Sequence, residues 1–197
     1  MNRTRFGVMT FVVLVFFGIA AATAGSNHGN RVDITADCNA TFNADPPVGP
    51  GLGPGTCVRN GDTSFQNFIG QLVANGVQAN RSANGWAFNP GQLRIDAGQG
   101  FEARNKGGEF HTFTEVKNFG GGCVPPLNAA LGGLTPVPEC QPEVAPGVPL
   151  AFVTTGVPAG GTLNIPGLAP GVVHHFECLI HPWMRTDVVV RANEHDD

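Results

Sequence analysis

The chain has little charge and no concentrated positive face. Of its 197 residues only 13% are Asp, Glu, Lys or Arg, and the formal net charge is −4. Phosphate backbones are held by Lys/Arg patches, which this chain lacks, so a nucleic-acid partner is disfavoured. Long apolar runs are scarce too. One extends from Phe6 to Ala22, and no second run approaches the length of a membrane span. Methionine is rare, with three in the chain. No internal repeat and no hydrolase-type motif is present.

The single apolar run has the form of an export signal. Arg3 and Arg5 precede it, and Ala22-Thr23-Ala24 supplies the small residues of a cleavage site, so residues 1–24 are expected to be a signal peptide cut before Gly25. An uncleaved anchor is the competing reading, but the run is short and ends at the small-residue site. No Cys follows that site, which argues against a lipid anchor. The protein is therefore expected to be exported, periplasmic or extracellular, with no membrane span after cleavage. Loss of Arg3 and Arg5, with no acid lost, takes the formal charge from −4 to −6. Residues 25–197 suffice for one domain, and 28 Gly and 16 Pro point to strands, turns and long loops.

Chemistry concentrates near the C-terminus. In FECLIHPWMRTDVVV, Cys178, His181 and Met184 stand at three-residue steps on a short loop before a strand. A thiolate, imidazoles and a weak thioether form the donor set that suits a one-electron copper centre. The second imidazole is offered upstream by His111, inside the alternating segment GGEFHTFTEV. Met1 and Met9 leave with the signal segment, so Met184 is the sole methionine of the mature chain, and it lies at ligand spacing. An isolated Met is ordinarily core filler; its coincidence with Cys178 and His181 favours a ligand.

Cysteine arithmetic agrees. Five cysteines in an exported chain leave one over. Assigning Cys178 to a metal leaves Cys38, Cys57, Cys123 and Cys140 for two disulfides, in any of three pairings. Cys38 with Cys57 and Cys123 with Cys140 are favoured, because each pair brackets a Gly/Pro-rich loop whose closure contributes roughly 3 kcal/mol.

The CxxHxxM spacing, with Pro182 and Trp183 between the histidine and the methionine, resembles the cupredoxin (type 1 blue copper) family, with a ligand loop of the amicyanin/plastocyanin kind. The motifs cover the stretch from about Trp86 to the C-terminus. The resemblance implies one type 1 copper held by His111, Cys178, His181 and Met184, with Cys178 as thiolate and Met184 as axial thioether. That family usually follows the upstream histidine with Asn; here Thr112 or Thr114 is expected to tie the two ligand segments. The resemblance further implies a partly exposed His181 as the exit for the electron. Pro182 and Trp183 would then form an apolar rim on which a redox partner docks.

The expected architecture is an all-β, Greek-key cupredoxin β-sandwich with one short helix and long disulfide-tied loops. Residues 25–85 form an extension with a first strand, Arg31 to Cys38, and the helix; residues 86–197 form the copper-binding core. In DTSFQNFIGQLVANG, Phe65, Phe68, Ile69, Leu72 and Val73 recur at helical spacing, with Asp62 to Ser64 as caps and Gly76 as a stop. Strands are expected at Trp86–Phe88, Gln92–Ala97, Gly100–Asn105, Phe110–Val116, Leu150–Thr155, Gly161–Ile165, Gly171–Glu177 and Thr186–Ala192. An irregular insertion from Lys117 to about Val148, tied by a disulfide, is expected to cover or flank the site.

These readings describe an electron carrier, not an enzyme. A multicopper oxidase needs further histidines for a second centre, and six in all are too few; a dinuclear site needs a second Cys on the loop. The alternative is a copper-holding or delivery protein, or a non-redox surface interaction module. His174 and His175 alternate across a strand and are read as structural or exposed. His28 and His195 fall in the termini, and the sequons at Asn39 and Asn80 carry no weight.

Overall fold

A computed structural model describes residues 29–43 and 57–192; the expected signal peptide lies outside the described residues. Strands follow one another as β1 (Arg31–Thr35), β2 (Ala87–Asn89), β3 (Gln92–Asp96), β4 (Phe101–Asn105), β5 (His111–Thr112) and β6 (Thr114–Val116). After these come β7 (Glu143–Ala145), β8 (Val148–Pro149), β9 (Gly156–Val157), β10 (Thr162–Ile165), β11 (Val173–Glu177) and β12 (Arg185–Arg191). One four-stranded sheet has the order β10-β4-β1-β2 and the other β3-β12-β11-β6.

Period-2 patterning explains why these segments are strands and which face each buries. Val32 and Ile34 point inward from β1, Phe101 and Ala103 from β4, Leu93 and Ile95 from β3, and Val188 and Val190 from β12. All belong to one core, so the two sheets pack face to face as a sandwich. Aromatic rings join the layers: Phe113, between β5 and β6, stacks on Phe176 of β11 at 4.6 Å and meets Phe88 and Phe101 of the opposite sheet at 5.0 and 5.9 Å. The all-β sandwich expected from strand spacing is the architecture found.

The helix of the extension, α1 (Phe65–Asn75), forms as its sequence dictates. Ser64 accepts the Asn67 amide at its N-terminus, and Gly76, at φ 58°, donates its amide to Leu72 O at its end. Phe68 and Leu72 are its buried face.

Two expectations need correction. The structure has more than one helix: α2 (Pro125–Ala130) interrupts the insertion, and α3 (Leu150–Thr154) replaces the strand expected at Leu150–Thr155. A short apolar run does not distinguish strand from helix by itself. Here the Thr154 and Thr155 hydroxyls donate back to the carbonyls of Leu150 and Ala151, and only Ala151 turns fully inward. The strand expected over Phe110–Val116 is also divided: β5 pairs with β9, whereas β6 pairs with β11. That division lets His111 and Val116 serve different neighbours.

The disulfides are Cys38–Cys57 and Cys123–Cys140, and Cys178 is the free cysteine. The first presses against the turn after β4. A Cβ on Gly108 would stand 2.7 Å from the Cys38 sulfur, so glycine is required there for the turn to pass the bridge.

Candidate metal centre

The loop between β11 and β12 presents Cys178, His181 and Met184. It is closed by its own backbone: Cys178 N donates to Met184 O at 3.0 Å, and Met184 N donates to His181 O at 2.9 Å. The fourth residue, His111, begins β5 and faces Val157 of β9 across the ladder. Thr112 joins the two segments, its Oγ1 accepting the Leu179 amide at 2.8 Å. Thr112 thus supplies the tie expected of Thr112 or Thr114; the Thr114 hydroxyl instead meets that of Thr155 at 2.6 Å.

Three donor atoms converge. His111 Nδ1 and His181 Nδ1 are 3.2 Å apart, and each lies 3.7 Å from Cys178 Sγ. Bonds of about 2.0 Å to nitrogen and about 2.3 Å to sulfur, at near-tetrahedral angles, span about 3.3 Å between nitrogens and about 3.5 Å from nitrogen to sulfur. The triangle therefore already has the dimensions of a metal's ligand set. His111, Cys178 and His181 are the cluster of metal-ligating side chains found among the described residues. Met184 is fully buried in the same loop.

Burial sets the protonation of the donors. It lowers the His111 imidazole to about 3 and depresses His181 well below the ordinary value, where neighbouring His111 adds to the effect. Both rings are therefore neutral, each with one protonated and one bare nitrogen. Burial pushes the Cys178 thiol up to about 11, opposed by hydrogen bonds from Thr112, His181 and Ile180, so a proton must leave it before a metal is held.

The surroundings correct one expectation. His181 is only 4% exposed, Trp183 is fully buried and Pro182 is buried, so they form no apolar docking rim. The extension covers them. Phe68 of α1 meets the His181 ring edge-on at 6.1 Å and Trp183 at 5.8 Å, and Trp86 packs on Phe68 at 4.8 Å. The insertion also lies against the loop, with Cys123 N donating to Leu179 O at 2.6 Å. A Cβ on Gly122 would fall on that same carbonyl. The insertion flanks the site, as its position between the ligand segments led us to expect.

Further residues matter that sequence patterning did not single out. Asn80 holds the loop's exit: its Oδ1 accepts the amides of Phe88 and Arg185, and its Nδ2 donates to Arg185 O. Asn105 braces the approach to His111, donating to Glu109 O and Val157 O and accepting from Gly107 N. Glu109 is buried, accepts from Trp86 Nε1 at 2.6 Å, and places Oε2 3.9 Å from His181 Nε2. The available signal was its spacing, two residues before His111 in an alternating segment. His174 and His175 face Glu115 and Asp187 at the surface, away from the cluster.

No family model matches the chain, and no curated protein matches it. Among solved structures, a purple cupredoxin from Nitrosopumilus maritimus is similar, with 17% identity over 55% of this chain and 85% of that chain, at a TM-score of 0.34. A reduced amicyanin variant shows 16% identity over 53% of this chain and 73% of that one, at 0.33. An oxidised amicyanin variant shows 15% identity over the same shares, at 0.33.

Proposed function

We propose that this is an exported type 1 (blue) copper protein of the cupredoxin kind that carries single electrons between redox partners. The observation that carries the reading is the buried triangle of two imidazole nitrogens and one thiol sulfur. His111, Cys178 and His181 would hold the metal, with Met184 as the axial thioether. This mixed imidazole and thiolate set suits copper. When bound, copper supplies a one-electron couple.

The chain's part is to keep the donors in place. His111 is fixed by the β5–β9 ladder, the loop by its internal hydrogen bonds, and the two are joined through Thr112. Donors so constrained have little freedom to rearrange when the charge at the centre changes, which favours fast exchange. Full burial of His111 and Cys178 keeps substrates from the donors, which supports a carrier over an enzyme. The two disulfides fit an oxidising compartment and hence export.

The test is to add cupric ion to the mature, disulfide-bonded protein and record visible and electron paramagnetic resonance spectra beside Cys178→Ser. An intense blue thiolate-to-copper band with narrow copper hyperfine splitting is expected, and its loss in the variant. A colourless wild type with ordinary tetragonal copper signals would falsify the assignment. A reversible one-electron couple separates a carrier of electrons from a copper-delivery protein, which would release its metal to an acceptor instead.

A further inference from the structure

The carboxyl group of Glu109 lies beside the proposed centre without belonging to the donor set. It sits between two aromatic side chains. Trp86 is fully buried, and its Nε1–H donates to Oε2 at 2.6 Å. Ionised, or with its proton on Oε1, the carboxyl group presents to its neighbours an Oε2 that only accepts. His181 Nε2 lies 3.9 Å from the same Oε2. That is beyond a hydrogen bond, and closing it to one takes about 1 Å of movement.

The histidine pair restricts the possible proton positions. The two Nδ1 atoms face each other at 3.2 Å, so in the neutral pair one donates and the other accepts. His111 Nε2 is buried and has no partner. An N–H stranded there would cost more than a bare nitrogen, so the His111 proton belongs on Nδ1. His181 Nδ1 is then the acceptor, and the His181 proton belongs on Nε2, the atom that faces Glu109. Each choice supports the next.

We propose that Glu109 is the positioning residue of His181: its Trp86-anchored oxygen selects the Nε2–H tautomer and so keeps the Nδ1 lone pair aimed at His111 and Cys178. The consequence for metal binding rests on the proposed function above; the tautomer does not. A hydrogen-bond acceptor on the far nitrogen of a metal-binding histidine fixes ring orientation, and losing one typically weakens metal binding about 10- to 100-fold.

The experiment is long-range 1H–15N NMR of the metal-free protein at neutral pH, for wild type, Glu109→Gln and Glu109→Leu. The Gln variant retains an acceptor oxygen; the Leu variant removes it. Wild type and Glu109→Gln should show His181 protonated on Nε2, and Glu109→Leu should show a mixture of tautomers. Zinc affinity, measured by chelator competition, should fall at least about tenfold in Glu109→Leu and much less in Glu109→Gln. A wild-type His181 protonated on Nδ1 would overturn the proposal even if neither variant folds. So would a Glu109→Leu variant with an unchanged tautomer. Failure of the copper reading would appear separately, as a wild type that takes up cupric ion without blue colour while the tautomer result stands.

Discussion

Thr112 Oγ1 is one atom on which two ligand segments depend. If Thr112→Val removes it, the Leu179 amide is left buried without a partner, at a cost of about 1–3 kcal/mol. Urea unfolding should show that loss, and Thr112→Ser should restore most of it. Glu109 gives a pH signature. Burial raises its carboxyl group from 4.5 to about 7, against the opposing Trp86 bond. A group whose folded value is raised contributes stability below its unfolded value and loses it as pH rises toward the folded one. The metal-free wild type should therefore lose stability relative to Glu109→Gln as pH rises from 4.5 to 7, read as a diverging pair of urea midpoints. A constant difference would count against a buried carboxyl group. Sequence showed the Cys178, His181 and Met184 spacing, because a single loop carries all three. It could not show that Asn80 and Asn105 hold that loop and its neighbour, since Asn80 reaches Arg185 and Asn105 reaches Val157, both far away in the chain.

At the scale of elements, α1 was legible to its ends because helix signals are local. Ser64 caps it and Gly76 stops it within one sequence window. Replacing Ser64 with Ala should cost about 1 kcal/mol in thermal or urea unfolding, and leave metal affinity largely unaltered. What α1 covers was not legible. A helix face announces that it is apolar, not which partner it meets, and Phe68 turned out to lie on His181 and Trp183. The expected docking rim failed for this reason. Segment α3 shows the opposite difficulty: its apolar run fits a strand, and the packing of Ala151 beside Val116, Val137 and Leu179 decided for a helix.

For the whole molecule, the sandwich is extended by two disulfide-tied segments that both lean on the ligand loop. Removing the Cys123–Cys140 bridge, as a double replacement by serine, should cost roughly 3 kcal/mol by the loop-closure estimate. Because Cys123 N also donates to Leu179 O, metal affinity should fall together with the unfolding midpoint. A variant that loses stability but keeps its affinity would show that the insertion only ties the fold. The sequence alone determined the strand periodicity, the helix caps and the ligand spacing within 178–184, all set by neighbours a few residues apart. Tertiary structure decided that His111 reaches that loop, that Thr112 fastens it, and that an aromatic layer covers His181. Those outcomes depend on burial and on contacts between distant segments, which arise only when the two sheets close on a common core.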